Sequence, residues 1–88
     1  DDEQGKTFEI KCYPNPSGGN LYINIGEAIE LKGLRANLIN EAGTEVMGEI
    51  ISDQLTTWRV ANLPKGLYFI SFVNDKGIML STKKIVIK

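Results

Sequence analysis

Apolar residues in this chain recur at every second position, in runs too short for anything but β-strands. Residues 8–12 set Phe8, Ile10 and Cys12 against Glu9 and Lys11, and residues 21–25 set Leu21, Ile23 and Ile25 against Tyr22 and Asn24. That alternation puts one side of each segment against a core and the other toward water. The same reading covers residues 34–40 (Leu34, Ala36, Leu38), 45–51 (Val46 and Ile50 inward), 57–61 (Trp58, Val60), 67–74 (Tyr68, Ile70, Phe72) and 78–88. Helical periodicity is absent apart from a weak patch at 25–34, where residues 26–33 read as either one helical turn or a loop with a short edge strand.

Turn chemistry separates the segments. Pro14-Asn15-Pro16-Ser17-Gly18-Gly19-Asn20 is a stretch that no regular strand or helix continues through. Glu41-Ala42-Gly43-Thr44 and Asn74-Asp75-Lys76-Gly77 read as hairpin turns with glycine at a positive-φ position. Seven short strands at such spacing predict an all-β fold, a seven-stranded immunoglobulin-like β-sandwich. Leu63-Pro64-Lys65-Gly66-Leu67-Tyr68 adds detail. It fits a tyrosine corner at the start of the sixth strand, with Leu63 plugging the core, Gly66 turning the chain and the Tyr68 hydroxyl folded back onto nearby backbone.

The final segment holds an inconsistency. Ile78 and Leu80 share one face by alternation, as do Ile85 and Ile87, but Leu80 and Ile85 are an odd number of positions apart. Both pairs face a core only if the strand is irregular between Ser81 and Lys84; otherwise Val86 faces inward and the isoleucines outward.

The chain lacks the usual parts for chemistry. There is no histidine and only one cysteine, which removes the commonest base, the commonest metal ligand and any internal disulfide. No phosphate-binding glycine loop or nucleophile elbow is present. Glu41, Glu45, Glu49 and Asp53 read as solvated, and Cys12 and Trp58 as core. The expectation is a protein with no catalytic residues, no metal and no cofactor. A net charge of −1 argues against nucleic acid as a partner, and no apolar run is long enough for a helical membrane span. Tyr22 and Phe69 are expected to face outward. Phe69 and Val73 together fit a protein contact, weak self-association included, or covering by a loop.

Three stretches then stand out in order: Tyr13-Pro14-Asn15-Pro16, the corner with Gly66 and Tyr68, and Lys83-Lys84-Ile85-Val86-Ile87-Lys88. With the hairpin around Asn40-Glu41-Ala42-Gly43, they resemble the type A C-terminal sorting domain of the type IX secretion system, over nearly all of residues 8–88. The resemblance implies a recognition role for the three motifs. It implies a covalently attached upstream cargo, outer-membrane secretion machinery and a sortase-like peptidase as partners, and export through the periplasm to the cell surface or medium. On this reading residues 1–7 are a polar linker from a missing upstream region, residues 8–88 are the sorting domain, and an edge strand at the C-terminus offers unpaired backbone for strand addition. The alternative is an adhesive or accessory sandwich that binds a glycan or protein at the cell surface.

Overall fold

The computed structural model describes residues 9–27 and 29–88. The inward placement expected of Phe8 and the linker expected at residues 1–7 lie outside the described residues. Seven strands form: β1 (Ile10–Tyr13), β2 (Asn20–Ile25), β3 (Arg35–Asn40), β4 (Glu45–Ile50), β5 (Leu55–Arg59), β6 (Gly66–Val73) and β7 (Met79–Ile87). They make two antiparallel sheets, ordered β1-β2-β5 and β4-β3-β6-β7. The chain changes sheet between β2 and β3, between β4 and β5, and between β5 and β6, so the expected seven-stranded sandwich is what forms.

The alternation decides which side chains meet between the sheets. Leu21, Ile23 and Ile25 from β2 face Ala36, Leu38, Ile70 and Phe72 from the larger sheet, all essentially solvent-free. Ile10, Ile29, Leu34, Ile51, Trp58, Val60, Tyr68, Ile85 and Ile87 complete the core of the described residues. The described residues of 26–33 are neither helix nor strand but loop and turns, pinned by the bond from the Gly26 amide to the Glu9 carbonyl (2.6 Å) and by burial of Ile29.

Both hairpins of the larger sheet are built the same way. Asn40 Oδ1 accepts the Ala42 and Thr44 amides at 3.0 and 2.9 Å, and Asn74 Oδ1 accepts those of Lys76 and Ile78 at 2.9 Å each. Gly43 and Gly77 then take φ of 86° and 79°, the left-handed conformation that a β-carbon disfavours.

Three details differ from the sequence expectation, and bulges account for two of them. Val46 and Ile50 stand four apart, so a regular strand would put both inward. A register shift pairs Leu38 with Met47 and Ile39 with Glu45, leaving Val46 as the extra residue. Val46 stays half-buried, Ile50 turns out to solvent at 54% exposure, and Ile51 takes the core position. The irregularity in β7 lies at Leu80, one residue before the expected window, because Phe72 pairs with Ser81 and Val73 with Met79. Ile85 and Ile87 face the core as expected. Leu80 only packs against the core's margin, and Ile78 does not share its face but is exposed. The third detail concerns Glu49, which reaches over the open side of the sandwich to accept the indole N–H of buried Trp58.

Candidate recognition site around the terminal strand

The three motifs read from the sequence converge on one half of β7. Its inner edge pairs with the corner: Tyr68 lies opposite Ile85, Leu67 opposite Val86 and Gly66 opposite Ile87. Tyr68 is buried, and its hydroxyl donates to the Pro64 carbonyl at 2.6 Å. Gly66 starts the strand at φ 149°, a conformation that side chains avoid. The tyrosine corner is therefore present as expected, and its neighbour is the terminal motif.

The outer edge of β7 is covered by the other motif. Asn15 presents its side-chain amide as a peptide group would: Nδ2 donates to the Lys84 carbonyl at 3.0 Å, and Oδ1 accepts the Val86 amide at 2.9 Å. Ser17 continues this with backbone. Its amide donates to the Val86 carbonyl at 2.8 Å, and its carbonyl accepts the Lys88 amide at 2.9 Å. Ser17 thus forms a parallel bridge with Ile87, and its buried hydroxyl donates to the Asn20 carbonyl at 2.9 Å. Pro14 and Pro16, both exposed and both following cis peptide bonds, stand either side of Asn15.

This arrangement corrects two expectations. The segment after Tyr13 is not merely a turn, since it pairs with a strand 69 positions away in sequence. The edge of β7 is not open for strand addition over residues 84–88, because Asn15 and Ser17 occupy it. Ser17 is the residue that sequence reasoning missed. Its small size lets it close against β7 with no exposure, but serine beside glycine reads as turn filler in a bare sequence.

The lysines divide by parity. Lys83 lies opposite Ile70 and is half-buried, whereas Lys84 and Lys88 are exposed with Val86 between them. Lys83 lies on β7 at the margin where β1 and β7 meet, close enough for its charge to act on Cys12. Burial pushes the Cys12 thiol up from 9.0 to about 11, and the Lys83 charge pulls it partly back. Cys12 is half-buried against the core, as a protonated thiol. Tyr13 leaves the motif altogether and stacks on Tyr22 on the outer face of the smaller sheet, with ring centroids 5.6 Å apart.

Among the described residues, no three His, Cys, Asp or Glu side chains stand together as metal ligands, and no helix is long and apolar enough to cross a membrane. What the region offers instead is a surface: a terminal strand held on both edges, with alternate side chains displayed.

Comparison with known proteins bears on the fold and on the family. CopC from Methylosinus trichosporium OB3b superposes with a TM-score of 0.58 at 14% identity, over 91% of this chain and 85% of that one, a likeness of fold. An endonuclease/exonuclease/phosphatase from Beutenbergia cavernae DSM 12333 aligns at 26% identity and a TM-score of 0.45, over 88% of this chain and 22% of that one. No curated protein matches the chain. The family described as the secretion system C-terminal sorting domain matches residues 11–88, a span that takes in all three motifs and both partners of the Asn15 clasp. The chain therefore belongs to the type IX secretion C-terminal sorting domain family.

Proposed function

We propose that this domain is a non-catalytic address. It directs the cargo attached upstream of it across the outer membrane through the type IX machinery, and a sortase-like peptidase then removes it at the cell surface. The observation that carries this reading is the convergence of Asn15 and Ser17, from the stretch after Tyr13, and of the Gly66–Tyr68 corner on the terminal strand. Residues scattered over the whole chain spend their hydrogen bonds on holding one short strand, and they leave Lys84, Val86 and Lys88 facing solvent. A fold needs its last strand paired on one edge only. Holding both edges fixes the displayed side chains in position, which is what a recognised surface requires. A reporter with an inner-membrane signal peptide and this domain at its C-terminus tests the reading. It should reach the surface or medium in a host that has the machinery, and stay in the periplasm of the same host without it. Equal distribution in the two hosts would refute the proposal.

A further inference from the structure

The terminal motif has few ways to be read. Its edges are taken, by β6 on one side and by Asn15 and Ser17 on the other, and Ile85 and Ile87 point into the core. What remains is the outer face of the four-stranded sheet. Register places Val86 beside Leu67, and Lys84 in one row with Phe69 and Ile39. Phe69 and Val86 are 37% and 39% exposed, and Ile39 and Leu67 are half-buried around them. A polar row of Asn37, Ser71 and Thr82 separates this patch from a second row at the far end of the same face, where Val73 and Met79 are adjacent and Arg35 stands between Val73 and Ile50. Only the first patch adjoins the motif. Lys84 and Lys88 flank Val86 two positions away on either side, so on that margin the patch carries two positive charges roughly 13 Å apart.

We infer that the secretion machinery reads the terminal strand face-on, through an apolar surface that covers Ile39, Leu67, Phe69 and Val86 and carries carboxylates placed to meet Lys84 and Lys88. This deepens the sorting reading and rests on it. The charge favours such a partner over a second copy of the chain. Within the Lys84 row the chain's own carboxylate is Glu45, at the opposite end, and it is already paired with Arg35 at 3.3 Å. The patch is also small, roughly 300–400 Å² from strand spacing and rise, less than half of the about 800 Å² that each partner of a standard interface contributes. A partner that wraps past β7 onto both lysines extends its contact beyond that area; a flat sheet packed on its own copy does not.

The reporter fusion provides the test, with the intact domain's export as reference. Absence of export by the intact domain would sink the sorting reading itself. With that reference in place, Phe69→Thr with Val86→Thr keeps β-forming residues at exposed sites. It should lower surface reporter roughly tenfold, the effect of losing one good apolar contact. Lys84→Glu with Lys88→Glu should do the same. Ile50→Thr with Met79→Thr, in the far patch, should export like the parent. Thermal unfolding of each variant domain establishes that it is folded; if the double threonine variant is not, the lysine pair decides alone. Undiminished export by the folded near-patch variants would overturn the inference while leaving the sorting reading standing. So would an equal loss from the far patch, or a concentration-dependent dimer in sedimentation that Phe69→Thr abolishes, which would assign the face to a second copy.

Discussion

Removing the Asn15 side chain isolates the clasp from the rest of the fold. Asn15→Ala deletes two hydrogen bonds, to the Lys84 carbonyl and from the Val86 amide, and removes nothing from the core. An intramolecular hydrogen bond contributes about 0.5–1.5 kcal/mol net, so two set a range of about 1–3 kcal/mol. The lower half applies here. Both bonds lie at the exposed margin, and water replaces the lost partner of each backbone group. A loss of about 1–1.5 kcal/mol should lower the melting temperature of a domain this size by roughly 4–12 °C.

The assay has two readouts. Urea or thermal unfolding gives the total change. Native-state hydrogen exchange locates it: the Val86 amide, whose partner is Asn15 Oδ1, should lose protection. The Ile87 and Lys83 amides, inside the β6–β7 ladder, should not. An unchanged midpoint together with unchanged exchange at Val86 would show that the clasp contributes nothing. A collapse of several kcal/mol with loss of protection throughout β7 would show that Asn15 is needed to form the strand at all, not merely to hold it.

Other consequences are checked more simply. Tyr68→Phe removes the hydroxyl bond to the Pro64 carbonyl and should cost about 0.5–1.5 kcal/mol in denaturant unfolding, with the ring still buried. Glu49→Ala should strand the Trp58 indole N–H in a buried position, costing about 1–3 kcal/mol and shifting the tryptophan emission; Glu49→Gln, which keeps an acceptor, should recover most of it. Cys12 predicts a pH dependence. Its thiol titrates at about 11 when folded and near 9.0 when unfolded, so the folded state binds more protons between those values. Stability should therefore hold up to about pH 9 and fall as pH rises toward 11, a loss that Cys12→Ser lessens.

Much of this fold can be read from the chain because its strands alternate with few exceptions. Phe72, Ile70 and Tyr68 declare the inner face of β6, and Leu21, Ile23 and Ile25 that of β2, because a side chain on a pleated strand has only two directions to choose from. Where parity breaks, the sequence announces a break without locating it. The odd offset from Leu80 to Ile85 demanded a bulge somewhere, and only the pairing of Val73 with Met79 puts it at Leu80. Val46 and Ile50 gave no such warning, since their even spacing is satisfied by a regular strand. The bulge there depends on how β3 and β4 meet, and neither strand encodes that alone.

The candidate recognition site was legible in its parts but not in its assembly. Three motifs could be named from the sequence, and local chemistry predicted the Tyr68 corner because donor and acceptor lie four residues apart. The clasp is a contact between Asn15 and backbone groups near the other end of the chain. Backbone carries no residue identity, so no pattern of residue types betrays such a partner. For the same reason Lys83 was missed as the charge beside Cys12: the nearest cation in sequence is Lys11, but a strand's neighbours in space belong to other strands.

The division of labour within residues 83–88 bears on how such an address can work. Ile85 and Ile87 give their side chains to the core, while Lys84, Val86 and Lys88 give theirs to the surface. Deleting the motif would remove two buried isoleucines, worth about 1.5–3 kcal/mol each, from a domain whose whole stability is on the order of 5–15 kcal/mol. Loss of export after such a deletion therefore cannot distinguish an erased signal from an unfolded one, and surface substitutions are the informative ones. The same coupling favours recognition of the folded form. In an unfolded chain, bringing the Asn15 region to the last strand costs roughly 4 kcal/mol of loop closure for some seventy intervening residues. The folded sandwich has already met that cost. On the proposed face-on reading, a partner that requires Lys84, Val86 and Lys88 held in register over Leu67 and Phe69 would engage the folded domain in preference to the unfolded one.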